Sequence, residues 1–292
     1  IGKRLSKAYF KESKMTHEEW AAKKVYFPSQ DISPILGYFK IKFSPQYKLL
    51  FKLMDRPDVH TLFAKWASQS GKSLFEMLII GYRLDNEPAN VLYMQPIKDD
   101  IPKVLRLKIN PVLKCIKDLW QKFEDYIATE GIRSKDAIKQ LAGGSLVVSG
   151  SSVKERKSLT VPLLVMDEIG EFDKGAVKEA SERLKAFSKF FPKKIGVSTI
   201  VHPKDEICTN FENCEAIMEW RYKCPNCKDS FYPSRETFKF MTKKEFADLN
   251  NIPENEVEKS SWKKEALKNV YIECPHCKHQ IDNTEKSNLI LN

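Results

Sequence analysis

The chain has 292 residues, of which 42% are hydrophobic, and it carries a formal net charge of +10 with a pI near 9.1. This length allows one large domain or two ordinary ones, and the hydrophobic fraction is enough for a packed core. The sequence has no run of about 18 apolar residues and no charged-then-apolar leader, so we expect a cytoplasmic protein without a membrane-spanning helix.

The positive charge is concentrated in the first two thirds of the chain, because basic and acidic residues nearly cancel from Lys223 onward. A surplus of this size favours a polyanion partner such as nucleic acid. A soluble protein that is merely rich in lysine would show the same surplus, so the charge alone leaves both readings open.

The predicted elements alternate between helix and strand. Thr16 and Glu19 have the spacing of a capping box inside the first helical stretch. Apolar periodicity predicts helices at residues 3–25, 43–53, 73–83, 99–127 and 175–188. Short apolar runs predict strands at residues 59–67, 91–94, 145–149, 163–166 and 194–199. This alternation predicts an α/β fold with a mostly parallel sheet that is covered on both faces.

The composition changes between residues 205 and 220, and we place a domain boundary there. The predicted organisation is a helical segment over residues 1–40, an α/β domain over 41–210 and a third module over 211–292.

A candidate phosphate-binding loop lies between the strand at residues 59–67 and the following helix. The segment from Trp66 to Ser73 reads Trp-Ala-Ser-Gln-Ser-Gly-Lys-Ser, so Trp66 stands where the usual pattern has its first glycine. Backbone N–H groups of such a loop and the helix N-terminus hold phosphates. Lys72 would reach the β- and γ-phosphates of ATP, and Ser73 would bind Mg²⁺. The nucleotide-binding residues predicted here are Ser68, Gln69, Ser70, Gly71, Lys72 and Ser73.

The second signal for a nucleotide site is an apolar strand that ends in two carboxylates, Asp167 and Glu168. At the carboxyl end of a buried strand beside the loop, Asp167 can hold Mg²⁺ and Glu168 can activate the attacking water. Two acidic residues after a strand also suit an ordinary helix N-terminus. Together with Gly71, Lys72 and Ser73, however, they favour an ATPase whose catalytic residues are Lys72, Asp167 and Glu168.

Two further positions fit a nucleotide site but have ordinary alternatives. The amide of Gln46 can read the adenine edge, or it can be a surface side chain. The hydroxyls of Ser198 and Thr199, after the strand that follows Asp167 and Glu168, can sense the γ-phosphate, or they can belong to a simple turn.

Four of the seven cysteines form two Cys-Pro-x-Cys pairs, with 46 residues between them: Cys224, Cys227, Cys274 and Cys277. Each pair fits a knuckle that offers two thiolates to one tetrahedral metal. The predicted site is a structural Zn²⁺ site in a zinc-ribbon-like module, because four thiolates leave no open coordination position. A redox-active dithiol is the alternative.

In the order and spacing of its motifs, the chain resembles the large terminase subunit of tailed phages, in particular the lambda-like branch, over residues 30–285. The segments that carry the resemblance are residues 43–47, 58–59, 69–73, 92–96, 143–144, 156–158, 165–168, 198–199 and the two cysteine pairs. The resemblance implies a RecA-like P-loop ATPase of the ASCE type, in which Ser198 and Thr199 couple hydrolysis to movement.

Many members of that family have an arginine before the Walker A glutamine, where this chain has Ser68. Lys65, Arg156 and Lys157 are therefore candidates for the cation that stabilises the transition state. The resemblance also implies a separate nuclease domain, for which no residues remain after the cysteine module, so we expect that this chain does not cut DNA itself.

The predicted function is that of an ATP-hydrolysing motor subunit that moves double-stranded viral DNA into procapsids, with ATP, Mg²⁺ and structural Zn²⁺ as cofactors. By resemblance its partners are the capsid portal, the small terminase subunit and further copies in a ring, in the host-cell cytoplasm. The basic residues 174–194 are a candidate DNA face, with a solvated helix surface as the alternative. The rival functions are a helicase-like translocase and a non-catalytic, zinc-dependent DNA-binding adaptor.

Overall fold

The computed structural model describes residues 15–30, 32–33, 35–130, 137–152, 159–268, 270–282 and 285. The chain forms two compact units, Ile1–Glu215 and Ala216–Asn292. None of the helices in the described residues combines the length and the apolar character that crossing a membrane requires.

The first unit contains the predicted α/β fold. Its described strands, β1 to β8, are Tyr26–Phe27, Gly37–Tyr38, Thr61–Lys65, Asn90–Gln95, Ile138–Leu141, Gly144–Gly150, Leu163–Asp167 and Lys193–Ser198. Its described helices, α1 to α8, are His17–Lys24, Gln46–Asp55, Lys72–Asn86, Ile101–Val104, Asn110–Lys114, Lys117–Glu130, Ala176–Ser181 and Glu206–Glu212.

Six of these strands form one sheet in the order β3-β8-β7-β4-β6-β5. All neighbours are parallel except β5, which pairs antiparallel with β6 at the edge. The mostly parallel α/β sheet expected from the sequence is therefore confirmed. Because β8 lies between β3 and β7, the loops that follow these three strands emerge side by side at the carboxyl edge of the sheet, which is where ligands bind in such folds.

The core explains why these segments became strands and helices. Every residue of β7 is buried, as a strand covered by helices on both faces requires. Helix α3 is buried over most of its length, including Phe75, Met77 and Ile80. Helix α1 packs into the same core through the fully buried Trp20, whose indole N–H donates to Asp85 Oδ2 at 2.8 Å.

The predicted boundary between a helical segment and the α/β domain at residue 40 stays a prediction.

Two predicted helices differ from expectation in their regularity. The long helix expected over residues 99–127 is broken into α4, a π-helical turn at Leu105–Ile109, α5 and α6. Pro111 has no N–H to donate to the carbonyl of Leu107, so regular i→i−4 hydrogen bonding cannot continue through this turn. The helix expected over 175–188 is α7 followed by a 3₁₀ segment, Glu182–Phe190.

The start of α1 agrees with its sequence signal. Thr16 Oγ1 accepts from the Glu19 N–H at 3.2 Å, and Glu19 Oε2 accepts from the Thr16 N–H at 2.9 Å, which completes the predicted capping box. The earlier part of the predicted helix, residues 3–14, lies outside the described residues.

The second unit is small and is built around its cysteines. Its described strands, β9 to β13, are Tyr222–Lys223, Ser230–Phe231, Phe238–Lys239, Tyr271–Glu273 and Gln280–Ile281. Helices α9 (Lys243–Asn250) and α10 (Lys259–Lys268) lie between the two cysteine pairs. Its buried hydrophobic cluster consists of Cys224, Phe231, Ile272, Cys274 and Ile281.

Candidate ATPase centre and metal site

The loop between β3 and α3 is tightly curled. Gln69 and Gly71 have positive φ angles of 57° and 92°. The carbonyl of Ser70 accepts from the Trp66 indole at 3.2 Å, and Ser70 Oγ donates to the Ala67 carbonyl at 2.6 Å. These contacts fix a turn that leads directly into the N-terminus of α3, as a phosphate-binding loop requires.

Trp66 departs from the usual glycine, and the structure gives the reason that the fold accepts it. Its ring packs against Tyr47 and Phe75, with centroid distances of 5.9 Å and 5.5 Å. Its backbone N–H donates to the Ser198 carbonyl at 2.8 Å, which ties the loop after β3 to the end of β8. The tryptophan thus contributes to the hydrophobic core while its backbone forms part of the loop.

Two residues at the start of α2 support this loop. Tyr47 donates its hydroxyl to the Gly71 carbonyl at 2.5 Å, and Gln46 Nε2 lies 3.3 Å from the Ser70 carbonyl. Burial raises the pKa of Tyr47 well above its ordinary value, so its hydroxyl remains a donor. The structure therefore places Gln46, predicted to read adenine, directly beside the loop. Tyr47 was not identified as a site residue by sequence reasoning.

Lys72 joins the loop to the two carboxylates at the end of β7, Asp167 and Glu168. Its side chain is buried, its Nζ contacts Glu168 Oε1, and the same Nζ lies 3.4 Å from Asp167 Oδ1. Ser73 follows it in the first turn of α3, whereas Ser68 is exposed in the loop. Residues some 95 positions apart in the sequence thus form one charged centre.

Asp167 is buried and held from several sides. Its Oδ2 accepts from the Tyr93 hydroxyl at 2.9 Å and contacts Lys108 Nζ. Burial alone would raise the pKa of Asp167, but the ammonium groups of Lys108 and Lys72 outweigh burial and hold this pKa below its ordinary value. Asp167 is therefore a carboxylate that is ready to bind a cation.

Glu168 connects the centre to the end of β8. Its backbone is left-handed, with φ 51° and ψ 46°, which turns the chain sharply after β7. Its Oε2 accepts from the Thr199 N–H at 3.3 Å and from Thr199 Oγ1 at 3.2 Å, and it lies 3.4 Å from Ser198 Oγ. Ser198 and Thr199 are thus in direct contact with the residue expected to activate water.

Glu76 lies one helical turn beyond Lys72 and is completely buried. Among the described residues, neither of its carboxylate oxygens has a hydrogen-bond partner. Burial, followed by the negative charge of Asp167, raises its pKa well above the ordinary value. Glu76 was missed by the sequence reasoning because its position in α3 has the spacing of a core residue.

A cleft of about 320 Å³ opens beside the two carboxylates. Its lining includes Gln95 at the end of β4, Lys103 and Lys108 from the broken helix, and Asp167, Glu168 and Glu171. The cleft gives solvent and small ligands a route to Glu168.

The four cysteines predicted to bind zinc converge in the second unit. Their sulfur atoms all lie within 4.8 Å of one another, with Cys224 and Cys277 3.6 Å apart and Cys227 and Cys274 3.8 Å apart. Zn–S bonds of about 2.3 Å at tetrahedral angles place sulfurs about 3.8 Å apart. The arrangement therefore fits one tetrahedral metal ion.

The two knuckles have the same backbone geometry. The N–H of Lys228 donates to the Cys224 carbonyl at 3.0 Å, and the N–H of Lys278 donates to the Cys274 carbonyl at 2.9 Å. Both lysines have left-handed backbones, with φ of 66° and 61°. Such turns present both thiols of a pair to the same side, as metal knuckles do.

The comparisons with known proteins agree with this geometry. The profile of the family described as phage terminase large subunit gpA, ATPase domain, matches residues 33–292. The chain belongs to this family. No curated protein sequence matches the chain.

Among solved structures, the large terminase of bacteriophage HK97 aligns with a TM-score of 0.53 at 12% identity, over 87% of this chain and 52% of that one. This chain thus spans about half the length of that terminase. The large terminase ATPase domain of Thermus phage P74-26 aligns with a TM-score of 0.44 at 13% identity, over 70% and 82% of the two chains. At such identities the HK97 alignment shows the fold alone, which is the RecA-like terminase ATPase fold expected from the sequence.

Of the three candidate cations of this terminase domain, the described residues include Lys65. Lys65 Nζ lies 4.6 Å above the ring of Phe211 and 3.9 Å from Glu212 Oε1. Arg156 and Lys157 lie outside the described residues, so their role stays a prediction. The structure instead places Lys108, which the sequence did not single out, on Asp167.

The predicted DNA face needs one correction. Lys193 Nζ donates to the backbone carbonyls of Arg56 and Val59, and burial lowers its pKa to about 8. Lys194 Nζ lies 5.4 Å above the ring of Phe63 and is also half-buried. Both belong to β8 and its packing, so they do not contribute to an exposed basic surface. The four exposed lysines of the segment are Lys174, Lys178, Lys185 and Lys189.

Proposed function

We propose that this chain hydrolyses ATP at the centre formed by the loop before α3 and the carboxylates after β7. We further propose that it uses this reaction to move double-stranded viral DNA into procapsids. The observation that carries the proposal is the contact of Lys72 with both Asp167 and Glu168, at the edge of the sheet where parallel α/β folds bind ligands. The family to which the chain belongs supports the same reaction.

The residues of the loop have the chemistry for ATP and Mg²⁺. The backbone N–H groups of residues 69–73, at the N-terminus of the fifteen-residue helix α3, would hold the phosphates, and Gln46 would contact the base. The Ser73 hydroxyl and the Asp167 carboxylate are oxygen ligands of the kind that Mg²⁺ prefers. Bound Mg²⁺ would neutralise charge on the phosphates.

Lys72 and Glu168 change partners when the phosphates arrive. The Lys72 ammonium group is paired with Glu168. A phosphate oxygen is a competing anion for Lys72, and its arrival would free one oxygen of Glu168 to orient and deprotonate water. The other oxygen is held by Thr199, so a shift of Glu168 would be passed to the end of β8. These contacts support the proposed coupling through Ser198 and Thr199.

In the second unit, we propose that Cys224, Cys227, Cys274 and Cys277 bind one structural Zn²⁺. The sulfur positions fit a tetrahedral ion, and four thiolates leave no open position for catalysis. The hydrophobic cluster around them is small, so the metal would supply much of the stability of this unit.

The proposed partners follow from the family. They are double-stranded DNA, the capsid portal, the small terminase subunit and further copies of the chain in a ring, within the host-cell cytoplasm. The exposed lysines of residues 174–189 would contact phosphates without reading sequence.

The test is ATP binding and hydrolysis, with and without double-stranded DNA, for the wild-type chain and Glu168→Gln. The substitution keeps size and removes the general base, so we expect both proteins to bind ATP and only the wild type to hydrolyse it. Glu171→Gln is the matched control, because this exposed carboxylate lines the same cleft. It should behave as the wild type.

Two other results would contradict the proposal. Hydrolysis by Glu168→Gln at the wild-type rate would remove Glu168 from the mechanism. Absence of ATP binding in both proteins, with DNA binding retained, would favour a zinc-dependent adaptor that does not use nucleotide.

A further inference from the structure

Lys108 lies in the π-helical turn Leu105–Ile109, and its ammonium group contacts Asp167 Oδ2. Lys72 approaches the other oxygen of the same carboxylate, at 3.4 Å from Oδ1. Two cations from different elements therefore converge on one buried carboxylate. A π-helical turn inside a helix is often found at functional sites, because it redirects one side chain.

The turn that carries Lys108 is anchored, whereas the end of its side chain is accessible. Leu105 and Ile109, on either side of Lys108, are buried in the core. The Lys108 side chain is 31% exposed and lines the cleft that also contains Glu168. Its long stem can therefore move the ammonium group over a few ångströms while the backbone stays fixed.

The charges of the centre indicate where Lys108 would go. If Asp167 held Mg²⁺, its negative charge would no longer depend on Lys108 for neutralisation. The γ-phosphate, bound beside Lys72 and facing Glu168, would then be the strongest anion within reach of Lys108. Developing charge on a transferring phosphoryl group is what such cations stabilise.

Among the candidate cations that the structure describes, Lys65 is already engaged with Phe211 and Glu212. Among the described residues, Lys72 and Lys108 are the two lysines that contact the carboxylates after β7.

Building on the proposed ATPase function, we propose that Lys108 is a further catalytic residue. Its ammonium group leaves Asp167 when Mg²⁺ and ATP bind, contacts the γ-phosphate and stabilises the transition state from within the same chain. Lys108 thus supplies a second cation at the centre, beside Lys72.

The experiment compares the affinity of the full chain for Mg·ADP with its affinity for Mg·ADP plus aluminium fluoride, which mimics the transferring phosphoryl group. The proteins are the wild type, Lys108→Met, Lys108→Arg and the control Lys103→Met, whose exposed lysine lines the same cleft. For Lys108→Met we expect ADP affinity within about twofold of the wild type and a loss of about 100-fold for the fluoride complex, the scale of one transition-state donor.

Steady-state hydrolysis should likewise show a loss of transition-state stabilisation without a loss of substrate binding. We expect kcat to fall by about 100-fold in Lys108→Met and KM to stay nearly unchanged. Lys108→Arg keeps the charge and should recover part of the loss, and Lys103→Met should match the wild type. Thermal unfolding of each variant separates these effects from a folding defect, and Lys108→Arg keeps the test decisive if the methionine variant is unstable.

Three outcomes would overturn the inference. They are equal losses for ADP and for the fluoride complex, no loss in Lys108→Met, and a wild type that binds ADP but gains nothing from aluminium fluoride. A wild type that binds neither ADP nor ATP would instead contradict the proposed ATPase function itself.

Discussion

Replacing Gly71 by alanine tests the geometry of the phosphate-binding loop. Gly71 has φ +92°, a conformation that L-residues rarely adopt. A Cβ atom at this position would lie 2.3 Å from the Tyr47 hydroxyl oxygen and 3.3 Å from Tyr47 Cζ. The substitution therefore introduces both backbone strain and a steric clash.

The clash cannot be relieved by a simple rotation of Tyr47. Its ring is fully buried and packs against Phe51, Trp66 and Phe75 at centroid distances of 5.5–5.9 Å. Left-handed backbone at alanine costs about 1–2 kcal/mol, and forcing an extra methyl group into a packed site costs about 1–3 kcal/mol. We expect Gly71→Ala to lower the free energy of unfolding of the first unit by about 2–5 kcal/mol.

The matched control is Gly175→Ala. Gly175 has φ +84°, but a Cβ atom there would have no atom within 4 Å. This variant should show the backbone cost alone, about 1–2 kcal/mol. Urea denaturation followed by tryptophan fluorescence measures both variants, and ATP affinity should fall in Gly71→Ala while it stays unchanged in Gly175→Ala.

The double variant Gly71→Ala with Tyr47→Phe isolates the clash. Removing the hydroxyl removes the 2.3 Å contact, so Gly71→Ala should cost less in the Tyr47→Phe background, by about 1–2 kcal/mol. If both alanine variants are equally destabilised, and Tyr47→Phe does not change the cost of Gly71→Ala, the reasoning about this loop is wrong.

Two further predictions concern the buried charge and the metal. Burial raises the pKa of Glu76, so its contribution to stability is largest below its ordinary value of 4.5 and is lost as the pH rises towards the folded-state pKa. Each unit by which the pKa is raised corresponds to about 1.4 kcal/mol of lost stability once Glu76 is ionised. Glu76→Gln should therefore be more stable than the wild type at pH 7.5, and its free energy of unfolding, measured by urea denaturation, should lose this pH dependence. Parallel pH profiles of the two proteins would refute the prediction. Chelation should release one Zn²⁺ per chain and abolish amide-exchange protection in β9 to β13 but not in β4 and β7. Cys224→Ser should prevent metal binding. Cys115→Ser should not, because Cys115 is a buried cysteine outside the cluster. Amide-exchange protection that survives complete metal loss would contradict a structural role for the metal.

Short-range patterns explain most of what the sequence predicted. The strand containing Val165 and Met166 is a run of apolar residues, which is typical of a strand buried on both faces. The loop before α3 and the cysteine pairs are equally local signals. By contrast, β5 was missed, since Ile138–Leu141 is a short edge strand with two polar residues in its middle. Helix α8 also lies within a segment that was taken as a domain boundary. Its N-cap is Asp205, whose side chain accepts from the Cys208 N–H.

The rest of the centre could not be predicted because it depends on which strands are neighbours. Tyr93 reaches Asp167 because β4 lies beside β7, and no spacing in the sequence gives that order. Lys108 reaches the same carboxylate because Pro111 interrupts a helix that periodicity predicts as continuous. Long-range contacts of this kind are set by topology rather than by local sequence.

In the proposed ATPase reaction, the contacts of Glu168 would tie water activation to nucleotide binding. Glu168 is engaged by Lys72 on one oxygen and by Thr199 on the other. The Lys72 ammonium group occupies the carboxylate oxygen that would have to accept a proton from water, so an anion that drew Lys72 away would expose that oxygen. In the proposed reaction that anion would be the γ-phosphate. The same binding event would therefore place the substrate and free Glu168 to deprotonate the water that attacks it, and Thr199 would pass this change to β8.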